Sequence, residues 1–346
     1  MLSGPFATEQ FSNLSSSGRL LLSIVVPVYN EAVVLEEFHR RVSGVCDQLE
    51  AQCELIYVND GSQDNSLAIM RRLHTTDDRV SIINLSRNFG KEIALTAGLD
   101  HAGGDAVILI DADLQDPPEL IPELVRGWQD GFDVVYATRT ARSGETLLKR
   151  ATAHAFYRFI ERISRVPIPQ DTGDFRLLSR RAVESLRRLR EQHRFMKGLF
   201  AWIGYPHKAV PYHRDPRFAG RTKWNYRKLW NLAIEGVTSF SIGPLKVSTY
   251  FGFTIALSAF LYASWIILKT ILFGEPVRGY PTLMVTVLFF SGIQLIAIGV
   301  LGEYIGRIFN ETKGRPLYLT DSYLCARLRA YPNNGYSIKD EQKTLS

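Results

Sequence analysis

Between residues 20 and 138, short apolar runs rich in β-branched residues alternate with longer stretches whose apolar residues recur at helical spacing. This alternation predicts an α/β fold with a mostly parallel, Rossmann-like sheet, since right-handed crossovers place helices on both faces. The carboxyl ends of the strands then lie along one edge, where open α/β sheets bind ligands. The predicted strands are 21–28, 54–59, 80–85, 106–110 and 133–138, and the predicted helices are 32–50, 65–73, 91–101 and 119–129.

Polar residues follow four of the predicted strands at this edge. A buried strand that ends in Asp111 and Asp113 presents paired oxygen ligands. Mg²⁺ or Mn²⁺ held by one or two carboxylates completes its shell with water and substrate phosphates, so the pattern predicts a site for a metal-bound diphosphate. A solvated turn is the structural alternative, and the apolar strand before the pair and Pro117-Pro118 after it argue against that. The polar groups are Tyr29-Asn30-Glu31, Asp60-Gly61-Ser62, the run 86–91 and Asp111-Ala112-Asp113.

Two long apolar runs lie near the C-terminus, at about residues 247–272 and 281–305. At 1.5 Å per residue each is long enough to cross a hydrocarbon layer about 30 Å thick. The short link with Gly and Pro predicts a helical hairpin whose outer ends lie on the same side. An excess of basic residues at those ends predicts a cytoplasmic main domain. A buried helical hairpin in a soluble protein is the alternative. The flanking basic residues include Arg221, Lys223, Lys246, Arg307 and Arg315.

Residues 224–246 combine Trp, Tyr and basic side chains at near-helical intervals, which predicts an amphipathic segment at the membrane interface. The net charge of +6 is concentrated near the apolar runs, which favours an anionic membrane surface as partner and not nucleic acid. The predicted organisation is a flexible tail at 1–19, a catalytic domain at 20–223, the interfacial segment at 224–246, two membrane spans within 247–306 and a cytoplasmic C-terminal tail at 307–346.

Five motifs occur in order along the chain. They are Ile24-Val25-Val26-Pro27-Val28-Tyr29-Asn30-Glu31, Val58-Asn59-Asp60-Gly61-Ser62, Asn88-Phe89-Gly90-Lys91-Glu92, Asp111-Ala112-Asp113-Leu114-Gln115 and Asp174-Phe175-Arg176. Together they resemble the GT-A glycosyltransferases of family 2. More narrowly, they resemble the polyprenyl-phosphate glycosyltransferases, which include dolichol-phosphate mannose synthases and bacterial undecaprenyl-phosphate glucosyltransferases of the GtrB type. The resemblance runs from about residue 20 to residue 315, and the Gln-x-x-Arg-Trp motif of processive members is absent from the sequence.

The resemblance implies a nucleotide-sugar donor held together with Mg²⁺ or Mn²⁺. Pro27, Tyr29, Glu31 and Asp60 match the base and ribose positions, and Lys91, Ala112 and Arg176 match further donor contacts. Asp111, Asp113 and Gln115 match the metal and diphosphate positions. Such a metal neutralises charge on the departing diphosphate.

The resemblance also implies an acceptor side. Arg139, Arg217 and Lys223 match residues that contact phosphates, and Arg and Lys suit phosphate oxygens. A surface salt bridge for Arg139, and positive-inside charges for the basic residues near Lys223, are the structural alternatives. Asp174 matches the acceptor-side loop beyond the sheet, where it positions the sugar or acts as a base.

These matches imply inverting transfer of one hexose, with glucose from UDP-glucose favoured, onto a polyprenyl phosphate at the cytoplasmic membrane face. A GDP-mannose donor and a non-catalytic nucleotide-sugar-binding membrane protein are the alternatives. Glycines at 292, 299, 302 and 306 permit close helix contacts, within the hairpin or between copies, so a homo-oligomer stays open.

Overall fold

The computed structural model of the chain describes residues 20–139, 172–192, 194–212, 250–255, 257–258, 261–262, 264–265, 268, 272 and 279–327. The strands are β1 (Leu21–Val28), β2 (Gln52–Asn59), β3 (Val80–Leu85), β4 (Ala106–Leu109), β5 (Val134–Arg139), β6 (Thr172–Ser179), β7 (His207–Tyr212) and β8 (Thr320–Leu324). The helices are α1 (Leu35–Gln48), α2 (Ser66–Thr76), α3 (Lys91–His101), α4 (Ile121–Gln129), α5 (Arg180–Arg188), α6 (Met196–Trp202) and α7 (Tyr280–Thr312).

The eight strands form one sheet in the order β7-β5-β6-β4-β1-β2-β3-β8. The pairs β1 with β2, β1 with β4, β2 with β3 and β5 with β7 are parallel. Antiparallel pairing brings in β6 between β4 and β5, and β8 beside β3. The prediction of a Rossmann-like, mostly parallel sheet is confirmed.

Apolar side chains cover both faces of the sheet, as continuous apolar strands require. One face packs against α1, α2 and α4 through residues such as Phe38, Met70 and Leu124. The opposite face packs against α3, α5 and α6, where Leu95 and Leu199 are fully buried. Helices on both faces leave the carboxyl edge of the parallel strands open for a site.

The prediction that the motif of Asp174 lies beyond the sheet is wrong. Asp174 and Arg176 belong to β6, in which Arg176 pairs with Leu109 of β4. Because β6 runs antiparallel to β4, its first residues lie beside the end of β4. The position of β6 between β4 and β5 therefore brings Asp174 to the same edge of the sheet as Asp111.

The C-terminal region also differs from a simple tail. Helix α7 continues to Thr312, past the predicted end of the second apolar run at residue 305. An i,i+4 ion pair between Arg307 and Glu303, with Nε and Oε1 3.1 Å apart, supports its polar last turns. Residues 320–324 then return to the sheet as β8. The interpretation of 307–346 as a tail is therefore wrong for the residues up to 327 that the structure describes.

One helix in the described part of the chain is long and apolar enough to span a membrane, at Phe289–Thr312. Large apolar side chains on it are solvent-exposed, including Leu295 and Ile296 at 69% each. The described residues between 250 and 272 are helical too, and Tyr250 and Phe253 there are exposed. The predicted tail at 1–19, the interfacial segment at 224–246, Arg217 and Lys223 lie outside the described residues, as does the side chain of Arg139.

Candidate active site

Two strand-end loops meet closely at the carboxyl edge of the sheet. Gly61 follows β2 and has a φ of +65°. A Cβ on Gly61 would lie 2.5 Å from Asn88 N and 2.6 Å from the carbonyl carbon of Arg87, inside van der Waals contact. Glycine is required here because the backbone after β2 touches the backbone after β3. This close approach fixes the relative position of two of the predicted donor loops.

The carboxylate of Asp60 holds the same pair of loops together. It accepts hydrogen bonds from the backbone N–H of Phe89 at 2.7 Å and of Gly90 at 3.0 Å. Asp60 is 3% exposed, and burial raises its pKa above the ordinary value although these backbone donors oppose the shift. In the structure Asp60 therefore braces the loop before α3, and its predicted contact with the nucleotide stays a prediction.

Lys91 joins the two acidic groups of the edge. Its Nζ lies 2.7 Å from Asp111 Oδ2 and 2.5 Å from Asp174 Oδ2. Lys91 begins α3, Asp111 follows β4, and Asp174 belongs to β6, so three elements converge on one ammonium group. The other oxygen of Asp174, Oδ1, is buried and has no hydrogen-bond partner among the described residues. An unmatched buried acceptor is a strong candidate for a contact with bound ligand.

The cluster shifts the pKa values of its members in opposite directions. Burial raises the pKa of Asp111 to about 6, with the charge of Lys91 opposing. For Asp174, burial is outweighed by the charges of Lys91 and Lys197, which hold its pKa below the ordinary value. Asp111 and Asp174 raise the pKa of Lys91 against the effect of burial. The site at neutral pH thus holds an ionised Asp174 beside a cation.

The loop after β4 is held in a strained shape. Leu114 has a φ of +58°, which is uncommon for a residue other than glycine, and its side chain is 2% exposed. Asp113 Oδ1 accepts the backbone N–H of Gln115 at 3.1 Å, closing a tight turn. Asp116 is buried and accepts a hydrogen bond from the Tyr212 hydroxyl. The burial of the Leu114 side chain in the core thus stabilises the sharp turn of this loop. The turn fixes the backbone that carries Asp111 and Asp113.

The loop after β1 carries the remaining predicted base contacts. Asn30 has a φ of +55°, and the backbone N–H of Glu31 donates to Ser66 Oγ at 2.9 Å. Tyr29 and Glu31 are half-buried at this edge. Pro27 lies in a central strand but beyond the end of β4, whose last pairing joins Leu109 to Val25, so its missing N–H costs no ladder bond on that side. These residues share the edge with Asp60, and their roles stay predictions.

Two other residues that are predicted to contact the nucleotide-sugar donor are buried. Ala112 is 2% exposed and packs in the core, and Arg176 is 4% exposed. The Arg176 guanidinium donates to Gly173 O at 2.8 Å and lies 3.8 Å from the ring centre of Phe200. Burial lowers its pKa to about 10. Arg176 follows Asp174 by two residues in β6. Its predicted contact with the nucleotide-sugar donor stays a prediction.

Two charged residues near Asp174 were not predicted as site residues. Glu92 Oε2 accepts the backbone N–H of Met196 at 3.2 Å, and burial, assisted by the charge of Asp174, raises its pKa to about 7. Burial lowers the pKa of Lys197. Glu92 follows Lys91 in the motif Asn88-Phe89-Gly90-Lys91-Glu92, which was an available signal. Lys197 had none, because α6 reaches the site only through tertiary packing.

The residues present fit a hard divalent cation. The described residues contain no group of three or more His, Cys, Asp or Glu side chains that could hold a metal by themselves. Asp111 and Asp113 instead offer two carboxylates on one loop, and the side chain of Asp111 is 28% exposed. One or two carboxylates plus substrate phosphates are the usual set for Mg²⁺.

Comparisons with known proteins agree with this arrangement. Residues 23–187 match the family model described as Glycosyl transferase family 2, and residues 234–308 match the GtrB C-terminal hairpin. The chain is 55% identical to an uncharacterized glycosyltransferase of Synechocystis sp., over 86% of this chain and 94% of that protein. It is 50% identical to the bactoprenol glucosyl transferase of Shigella phage SfX, over 87% of this chain and 99% of that protein. It is 46% identical to the uncharacterized glycosyltransferase YkcC of Bacillus subtilis, over 91% of this chain and 98% of that protein.

The sheet with its strand-end aspartates, and the family match that covers six of its eight strands, define a GT-A glycosyltransferase. The hairpin match and the full-length relatives narrow this class, and the chain belongs to the GtrB-type group of glycosyl transferase family 2. The predictions of fold, family and enzyme class are confirmed. The hairpin and the exposed apolar helix associate the enzyme with a membrane.

Proposed function

We propose that this enzyme transfers one glucose from UDP-glucose to a polyprenyl phosphate at the cytoplasmic face of a membrane, with inversion and with a divalent cation. The observation that carries the proposal is the cluster of Lys91, Asp111 and Asp174 at the ligand-binding edge. The near full-length similarity to a bactoprenol glucosyl transferase supports this acceptor class and glucose as the sugar.

The donor side of the reaction rests on the loop after β4. Asp111 and Asp113 would hold Mg²⁺ or Mn²⁺ with Gln115 beside them. The bound cation would supply charge neutralisation for the leaving diphosphate, in place of protonation. Lys91 adds a positive charge next to Asp111, where the phosphates of the donor would lie.

In this proposal, Asp174 contacts the sugar. Its unpartnered Oδ1 is an acceptor for a hydroxyl group of the hexose, and Lys91 keeps it ionised. An ionised carboxylate near the anomeric carbon also stabilises positive charge that develops there as the bond to the diphosphate breaks.

The transfer needs no base. A phosphate oxygen of the lipid attacks the anomeric carbon, the carbon–oxygen bond to the diphosphate breaks, and UDP leaves with the electron pair. The lipid phosphate is already an anion near neutral pH, so no proton has to be removed. We assign positioning of the sugar to Asp174 and contacts with the acceptor and donor phosphates to Arg139, Arg217 and Lys223.

The proposed orientation follows from the charges that flank the hairpin. Arg307 and Arg315 lie on the side of α7 that continues into the catalytic sheet, and the bias of basic residues toward this side favours the cytoplasm. A membrane-held acceptor would then reach the edge by diffusion in two dimensions, and proximity supplies part of the rate.

Transfer of radiolabel tests the proposal. Purified full-length enzyme is incubated with polyprenyl phosphate, Mg²⁺ or Mn²⁺ and either UDP-glucose or GDP-mannose, and label in the butanol-extractable lipid is counted. We expect label from UDP-glucose alone, lost with EDTA. Label from GDP-mannose alone would replace the donor assignment. Nucleotide-sugar binding without label from either donor would favour another sugar first and a non-catalytic binding protein second.

The variant Asp113→Asn tests the metal assignment. Replacing one carboxylate by an amide weakens the cation site, and we expect transfer to fall by about 100-fold or more. Asp130→Asn is the matched control, because Asp130 is exposed and pairs with Lys208 away from this edge. Unchanged turnover of a folded Asp113→Asn enzyme would refute the metal assignment.

A further inference from the structure

The edge strand β8 comes from a segment that neither family match covers. β8 follows α7 and pairs with β3, and the backbone N–H of Ser86 donates to Leu319 O at 2.9 Å. The end of α7 is also fixed to the domain, because the backbone N–H of Gln192 donates to Glu311 Oε1 at 2.8 Å. The residues that return from the apolar helix are thus part of the catalytic sheet.

A series of side-chain hydrogen bonds connects this outer strand with the loop after β1. We call Asp321, Asn84, Asn59, Ser62 and Asn30 the amide relay. Asn84 Nδ2 donates to Asp321 Oδ2 at 2.8 Å, and Asn59 Nδ2 donates to Asn84 Oδ1 at 2.7 Å. The backbone N–H of Ser62 donates to Asn59 Oδ1, and that of Asn30 donates to Ser62 Oγ, each at 3.1 Å.

The two ends of the amide relay require the same orientation of both amides, because Asp321 only accepts and the backbone N–H of Ser62 only donates. A carboxylate only accepts, so Asn84 must turn its amide nitrogen outward and its oxygen toward Asn59. Asn59 must then turn its own oxygen toward Ser62. Asn59 and Asn84 are 2% and 8% exposed, so a reversed amide would leave buried groups unpaired. The acceptor at the sheet edge therefore completes the amide relay and stabilises the conformation of two buried amides.

We infer that Asp321 is a positioning residue for the nucleotide-sugar pocket, acting through the amide relay. Asn30 lies between Tyr29 and Glu31, and Asn59 precedes Asp60, so the relay ends at the backbone that carries three proposed base and ribose contacts. The inference rests on the proposed function, which assigns the donor to this edge. It extends the donor site to a strand beyond the apolar helix.

Reversal of the terminal charge tests the inference. Asp321 is exposed, so Asp321→Lys is sterically tolerated, but it offers only donors and removes the acceptor for Asn84. We expect KM for the nucleotide sugar to rise about fivefold, which is about 1 kcal/mol at 1.4 kcal/mol per tenfold. KM for the lipid acceptor should not change. Asp321→Asn keeps an acceptor oxygen and should stay within about twofold of the wild type.

Exchanging the amide and the carboxylate between positions 84 and 321 tests the orientation of the hydrogen bond separately from its loss. Asn84→Asp places two carboxylates face to face, and we expect a raised donor KM. The double variant Asn84→Asp with Asp321→Asn restores a donor at position 321 and should recover most of the donor affinity. Asp78→Lys is the control, because Asp78 is exposed and also contacts the C-terminal segment through Arg327, outside the amide relay.

Hydrogen exchange of the peptide spanning residues 59–66 gives a readout that needs no activity. Faster exchange is expected in Asp321→Lys and not in Asp78→Lys. Unchanged exchange would overturn the amide relay, and faster exchange with an unchanged donor KM would overturn the positioning role. If the wild type transfers no sugar from either donor, the proposed function fails, and the exchange result still decides whether Asp321 holds the loop.

Discussion

Gly61→Ala probes the contact between the loops after β2 and β3. The added Cβ would lie 2.5 Å from Asn88 N and 2.6 Å from the carbonyl carbon of Arg87, and both are backbone atoms that cannot rotate away. The two loops must separate to accept it. Separation lengthens the hydrogen bonds from Phe89 and Gly90 to Asp60, which hold the edge together.

Two costs add up at this position. A residue with a Cβ at a φ of +65° costs about 1–2 kcal/mol, and crowding in a well-packed region costs about 1–3 kcal/mol more. Gly131 separates the two, because its φ is +97° and nothing lies within 4 Å of a Cβ built there. Gly131→Ala therefore carries the backbone cost alone. We expect Gly61→Ala to be the less stable variant by about 2 kcal/mol.

Thermal unfolding of the detergent-solubilised full-length chain measures this difference. At about 2–4 °C per kcal/mol, the Tm of Gly61→Ala should lie about 6 °C below that of Gly131→Ala. The donor KM should rise in Gly61→Ala and stay at the wild-type value in Gly131→Ala. Equal Tm values for the two variants, together with an unchanged donor KM, would refute the close approach of the loops.

Two further predictions concern the charges around Asp174. Glu92→Gln keeps an acceptor for Met196 and removes a carboxyl whose pKa rises from 4.5 to about 7 on folding, so ionisation of the wild type costs stability as the pH rises through this range. The variant should match the wild type near pH 4 and be more stable by up to about 3 kcal/mol at pH 8 in thermal or urea unfolding, and a constant difference across pH would contradict this. Lys91→Met removes the cation that opposes protonation of Asp111 and Asp174, so both pKa values rise. Its residual transfer rate relative to the wild type should therefore be lower at pH 6 than at pH 8, and a ratio independent of pH would refute the assignment.

The elements with clear local signals could be predicted from the sequence. β1, β3 and α3 have the predicted ends, because polar residues terminate each apolar pattern there. β6 was missed because its polar residues Asp174 and Arg176 break the apolar pattern. β8 was missed because an edge strand has a neighbour on one side only and needs little apolar sequence.

The candidate site could likewise be predicted from the sequence only where its residues follow a strand with a clear local pattern. Asp111 and Asp113 follow a recognisable buried strand, and their common edge follows from parallel topology. The contact of Lys91 with Asp174 depends on where β6 enters the sheet, and that pairing is non-local. The buried partner Lys197 is likewise set by the packing of α6, which leaves no periodic signal in the sequence.

The position of β8 sets an order of events during synthesis. Asn84 and Asp321 are 237 residues apart, and β3 has no outer neighbour until the residues after the apolar helix have left the ribosome. An open strand edge is a template for wrong pairing between nascent chains. The residues of the hairpin therefore leave the ribosome before the sheet can close, and a chain arrested before residue 320 would expose the edge of β3.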